Sequence, residues 1–268
     1  MKLSVTISGL TRLYGDDLAA MVDTARVADA AGVDELVLPD HVVMSTRLDR
    51  YPFGRFPYGS EEPWLEPLTA LAAFAGATER IRLSTGVLIA PLRPATLLAK
   101  TAATLDVLSR GRLDLGVGTG WQPEEYEAEG VPFEGRVARL DDTIRACRAL
   151  WTDEPPVSFA SPTVSFTDLW CEPRPVQPGG IPVSFGGGAN TATARRVAGL
   201  GAGWLPIGVT PHEELAKGIA LIRDACAAVG RDPATVGVRA GLAVATSDDG
   251  SVDLDRTLAA VPALAELG

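Results

Sequence analysis

The fold class this sequence predicts is α/β, a parallel (β/α)8 TIM barrel, and three observations predict it. Strand-length hydrophobic runs alternate with helix-length segments along the whole chain. Those runs are nearly continuously apolar, as parallel strands covered on both faces must be. No shift in composition marks a second domain, so residues 1–268 read as one barrel domain of ordinary barrel size.

The elements follow in order. Residues 2–8 read as the first strand. Residues 16–31 read as a helix, with an acidic start, apolar residues at helical spacing (Leu18, Met21, Val22, Ala25, Ala28) and Gly32 as its stop. Residues 35–40 form a short apolar strand, 67–78 a helix, and 81–89 a strand rich in β-branched residues. A helix at 95–109, a strand at 112–120 that closes in glycines, and a helix at 137–151 come next. The alternation continues with a strand at 181–187, a helix at 191–200, a strand at 204–208 and a helix at 211–229. A strand at 236–245 and a helix at 254–267 complete it. No eighth strand is read. The chain closes in LAELG, a helix stop after which another strand is expected, so either the natural chain runs past Gly268 or the barrel is incomplete.

Two segments interrupt the pattern. Residues 42–65 form a long loop carrying Tyr51, Phe53, Phe56, Tyr58 and Trp64 among three arginines, and loops of that length in compact domains are usually functional or mobile. Residues 155–177 hold two VSF runs and read as a small hairpin inserted between the fourth helix and the fifth strand.

Composition excludes several function classes. The formal charge of −10 disfavours nucleic acid and anionic membranes as partners. No run approaches the roughly 18 apolar residues of a membrane span, and MKLSVTISGL is too short and too alternating for a secretory signal, so the cytoplasm is the default location. The three cysteines, Cys147, Cys171 and Cys226, fall in no disulfide or zinc spacing, and no metal site is expected.

In a parallel barrel the reactive groups gather where strands end. The second strand ends in Asp40 and His41, and His41 is one of only two histidines in the chain. A turn-capping aspartate beside a hydrogen-bonded structural histidine competes with a catalytic reading there. GVGTG, residues 116–120, places glycines where backbone must approach something closely, but it lacks the spacing of a dinucleotide fingerprint. GGGAN, residues 186–190, runs glycines into an N-capping Asn190, a place where helix N–H groups favour a phosphate or carboxylate. A glycine turn plus a cap explains the same residues.

Several motifs together resemble one family. They are the PDH ending at His41, STGVLIAPLRPATLLAKTAATLDVLSRGRLDLGVGTGW at 84–121, CEPRPVQ at 171–177, and GGGANTATARRVAGLGAGWLPIG at 186–208. In that order they look like the luciferase-like monooxygenases, and they are most similar to the coenzyme F420-dependent oxidoreductases of that barrel family. The resemblance implies that Asp40 and His41 lie beside the cofactor ring, with His41 catalytic. It places a non-proline cis peptide at Gly86–Val87, behind the ring, and Gly86, Val87 and Gly118 are expected among the cofactor-binding residues. It assigns the cofactor phosphate to Gly187, Gly188, Ile207 and Gly208. Some F420 branches hold a glutamate where this chain has Trp121, so Trp121 and the following Glu125 are the candidates for substrate contact. The activity implied is hydride transfer between F420 and a small organic substrate, in a homodimer. A monooxygenase using reduced FMN and O2, or a flavin-binding barrel without turnover, are the alternatives.

Overall fold

The computed structural model describes residues 1–267, which form two compact units, one of residues 2–182 and one of residues 183–267 with Met1. The first unit runs β1 (Ser4–Thr6), α1 (Leu10–Tyr14), α2 (Met21–Ala31), β2 (Glu35–Leu38), α3 (Pro67–Ala77), β3 (Arg82–Thr85) and β4 (Leu88–Ile89). It continues with α4 (Ala95–Leu108), β5 (Leu113–Gly118), α5 (Pro123–Ala128), α6 (Arg136–Thr152), β6 (Val157–Ala160) and β7 (Ser165–Leu169). Its sheet is parallel in the order β1-β2-β3-β5, and β4 continues beyond β3 to pair with the end of β5. The apolar strands bury as expected: Leu36, Leu83, Leu113, Leu115 and Val117 are wholly inaccessible. Val157 to Leu169 closes the expected hairpin, antiparallel.

Local chemistry sets the element ends. α2 stops at Gly32, whose φ of 81° suits a residue without a Cβ. α3 begins where the Glu66 carboxylate accepts the Thr69 N–H (2.7 Å) and Pro67 takes the first turn. The Arg112 guanidinium donates to the carbonyls of Ala75, Thr78 and Ile81, tying the end of α3 to the start of the adjacent strands. Asp106, buried in α4, receives the Val176 N–H and the Gln177 side-chain amide, and so draws the chain back from the hairpin.

The second unit runs β8 (Val183–Gly186), α7 (Thr191–Leu200), β9 (Gly203–Leu205), α8 (His212–Ala228), β10 (Gly237–Val238), α9 (Leu254–Leu258) and α10 (Val261–Glu266), with β8, β9 and β10 parallel. Among the described residues no helix is long and apolar enough to cross a membrane.

Besides the unexpected short helices α1 and α5, four expected elements differ in the structure. The strand expected over 81–89 is broken at Gly86–Val87, where the peptide is cis. The strand expected over 236–245 is paired only at Gly237–Val238. The last helix is two short ones, the second with Pro262 in its first turn, where the missing N–H costs nothing. The helix expected from residue 16 is α-helical only from Met21, behind a 3-10 turn at Leu18–Ala20.

Candidate active site

β2 delivers Asp40 and His41 to the same end of the sheet and sends them to different partners. The Asp40 carboxylate is buried and faces inward. Its Oδ2 accepts from Arg93 Nη1 (2.6 Å) and from the Ile89 N–H (2.8 Å), and its Oδ1 accepts from Arg93 Nη2 (3.0 Å). Both oxygens are therefore taken by the segment just past the cis Gly86–Val87 peptide. The Gly86 N–H donates to Leu38 O (2.8 Å), fastening the same bulge to β2. Burial pushes the Arg93 guanidinium toward losing its proton, but its bonds to Asp40 and Glu66 prevail and hold it above its ordinary value. A forked arginine–carboxylate pair fixes direction as well as charge.

On the opposite flank Gly118 ends β5. A Cβ there would stand 2.6 Å from Val87 Cγ2, so the absent side chain is what lets Val87 fit.

His41 is enclosed by the chain that follows β5. Its Nδ1 lies 3.2 Å from Gln122 Nε2 and 3.4 Å from Glu125 Oε2. Gln122 and Glu125 are both fully buried, and each also grips the loop after His41. Glu125 Oε1 accepts the Val42 N–H (2.6 Å), and Gln122 Oε1 accepts the Ser45 N–H (2.8 Å). Aromatic rings wall the imidazole edge to face: Trp64 at 4.8 Å between centroids, Phe56 at 5.9 Å and Trp121 at 6.1 Å. Trp121 also meets Tyr51 and Phe56, so the long loop packs onto the turn after β5. The Tyr58 hydroxyl donates to Ser8 Oγ (2.8 Å), which anchors the loop to the end of β1. Trp64 borders a small recess with Ser8, Gly9 and Pro39, and its indole N–H is buried without a hydrogen-bond partner among the described residues.

The second unit holds the glycine turn. The Gly187 N–H donates to Leu205 O (3.1 Å), and Gly187 O accepts from the Trp204 indole (2.8 Å). A Cβ on Gly187 would press to 2.7 Å from Thr193 Oγ1. Asn190 caps α7 by accepting the Thr193 N–H (3.0 Å), which leaves the N–H groups of the first turn directed out of the helix end. At Gly188 there is room: a Cβ would touch only Asn190 Nδ2, at 3.6 Å. Ile207 O accepts from the Thr210 hydroxyl (3.0 Å), and Gly208 has a φ of 58°.

Within the first unit the structure thus gathers Asp40, His41, Gly86, Val87, Gly118, Trp121 and Glu125 around one strand-end region. In the second, Gly187 bonds to the strand that leads to Ile207 and Gly208. The side chain expected to meet substrate, Glu125, is turned wholly inward beneath His41. Sequence reasoning missed Arg93, Gln122 and the short helix α5 that carries Glu125. The signal for α5 is present in QPEEYEAEG, a proline and two acids opening a helical turn, and goes unseen because six residues are too few to show a period.

A family model described as luciferase-like monooxygenase matches residues 1–263. An uncharacterised protein of Mycobacterium tuberculosis is 33% identical over 229 residues, covering 84% of this chain and 79% of that one. An F420-dependent glucose-6-phosphate dehydrogenase of Amycolatopsis mediterranei is 32% identical over 172 residues, 62% of this chain and 47% of its own length. An FMNH2-dependent dimethylsulfone monooxygenase of Pseudomonas putida is 33% identical over 150 residues, 55% of this chain and 40% of its own. Among solved structures, the monooxygenase RslO1 of Streptomyces bottropensis matches all of this chain and 77% of its own, with a TM-score of 0.77 at 25% identity. The parallel α/β fold is that of these relatives, and the chain belongs to the luciferase-like monooxygenase family.

Proposed function

We propose that the chain is an F420-dependent oxidoreductase that transfers a hydride between the deazaflavin and a small organic substrate, with His41 as its proton-handling residue. The observation that carries the reading is the state of the His41 ring. Nδ1 is held by Gln122 and Glu125, whereas Nε2 makes no hydrogen bond among the described residues. A ring fixed at one nitrogen and open at the other is suited to exchange a proton with a bound molecule.

The residues present fit such a cofactor. In the first unit the Trp64 N–H is a buried donor without a partner among the described residues, and in the second, taken by itself, the open turn at Gly188 before α7 suits an anion. When bound, the deazaflavin supplies the hydride chemistry. The protein's part is positional. Asp40 acts through Arg93 and Ile89 to hold the Gly86–Val87 bulge, and Gly118 admits Val87, so these residues shape the wall that a ring would meet. Trp121, Phe56, Tyr51 and Trp64 exclude water around His41, and Trp121 offers an aromatic surface to substrate. In the second unit Gly187 and Gly188, with Ile207 and Gly208, are the proposed phosphate-binding backbone. We place the enzyme in the cytoplasm as a homodimer.

The dimethylsulfone monooxygenase relative supports a second reading, oxygenation with reduced FMN as cofactor. Fluorescence titration with F420, and with FMN in both redox states, separates the two. Saturable F420 binding with little response to FMN supports hydride transfer, and preference for reduced FMN replaces it with oxygenation.

A further inference from the structure

His41 Nδ1 stands between a fixed donor and a fixed acceptor, and only one of them can be satisfied at a time. The Gln122 amide is oriented by the Ser45 N–H, which donates to Oε1, so its NH2 faces the imidazole. Glu125 is oriented by the Val42 N–H on Oε1, so Oε2 faces the same nitrogen. If Nδ1 lacks a proton it accepts from Gln122. If Nδ1 carries one it donates to Glu125.

The two outcomes are unequal. An amide N–H left without an acceptor forfeits one neutral hydrogen bond. A fully buried carboxylate oxygen left without a donor forfeits a charge-assisted one, which is roughly twice as strong. The shorter contact is to Gln122 (3.2 Å against 3.4 Å), so a preference for Glu125 rests on charge and not on distance.

We infer that Glu125 is the positioning residue for His41: it draws the neutral ring's proton to Nδ1, which leaves the Nε2 lone pair as the one available to a ligand. Gln122 sets the limit of this preference by offering the alternative partner. The inference deepens the proposed function, because a ring with its Nε2 lone pair open accepts a proton from a bound molecule, whereas the opposite tautomer donates one. Glu125 touches neither substrate nor cofactor in this role.

The test reads the tautomer directly and needs no cofactor. The chain has two histidines, so His212→Gln leaves His41 as the only imidazole in the spectrum. Long-range 1H–15N correlation on that variant, at a pH high enough for a neutral ring, reports which nitrogen is protonated. The expected result is a protonated Nδ1, retained in Gln122→Met. Glu125→Gln keeps an oxygen for the Val42 N–H but presents a second amide donor to Nδ1, and should move the proton to Nε2. A protonated Nε2 in the parent protein overturns the inference whether or not any variant folds. So does a protonated Nδ1 that persists in folded Glu125→Gln. If the tautomers come out as expected but His41→Asn leaves turnover intact, the proposed role of His41 fails while the positioning by Glu125 stands.

Discussion

Val87 occupies the space a side chain on Gly118 would need. A Cβ on Gly118 would lie 2.6 Å from Val87 Cγ2 and 3.3 Å from its Cβ. Two strand ends that the sequence separates by 31 residues are thereby matched, one keeping a branched side chain and the other none. Gly118→Ala should destabilise the fold by about 2 kcal/mol, the usual scale for overpacking. Val87→Ala removes the closer atom, so the double variant should recover most of that loss. Urea denaturation of both singles and the double gives the coupling, and additive losses would mean that the contact is not what excludes a side chain at 118.

Asp40 and Arg93 should be energetically inseparable. Asp40→Ala leaves the Ile89 N–H and one face of a half-buried guanidinium without an acceptor, a loss on the order of 3 kcal/mol. Asp40→Asn keeps an oxygen for one donor and should cost less. Chemical denaturation measures both, and equal small losses would show that Glu66 alone can satisfy Arg93.

Glu66 makes part of the stability pH-dependent. Partial burial pushes its carboxyl up, but hydrogen bonds from Thr69 and the pairing with Arg93 outweigh that and leave it below the ordinary range. A carboxyl with a lowered folded value contributes its stability above its unfolded value and loses it as pH falls through the folded one. Glu66→Gln should therefore cost about 1 kcal/mol at pH 7, the scale of a helix cap, and less than half of that at pH 3. Thermal melts of the two proteins across that range check it.

His41→Ala should lower turnover by about a hundredfold or more while cofactor affinity changes little, the scale of lost acid–base assistance. Steady-state kinetics beside a binding titration separates the two. A loss of stability that matches the loss of activity would make the imidazole a structural post for its aromatic cage.

Gly188→Asp is accommodated sterically, since only Asn190 Nδ2 approaches a Cβ there. It sets a negative charge against the start of α7, where the proposed phosphate site lies. Binding of F420 or FMN should fall below detection while the melting temperature holds, and unchanged binding would remove the anion site from this turn.

The sequence by itself determined the alternation of strands and helices, the hairpin between Val157 and Leu169, and the end of β2 as the place where Asp40 and His41 lie. Those features rest on local causes: runs of buried β-branched and aliphatic residues, helical spacing, and glycine or asparagine at element ends. GVGTG was legible as a place of close backbone approach, whereas the cis peptide at Gly86–Val87 was expected only from the family resemblance. What only the tertiary structure decided is which groups meet. That Asp40 turns to Arg93 rather than outward, that Gln122 and Glu125 close on the same nitrogen of His41, and that a loop of aromatic residues packs on Trp121 all depend on segments 50 to 85 residues apart. Periodicity carries no information across such distances. Strand register does: once β2 and β3 pair in parallel and β4 joins β5, the side chains at their ends are brought within hydrogen-bond reach, and their partners follow.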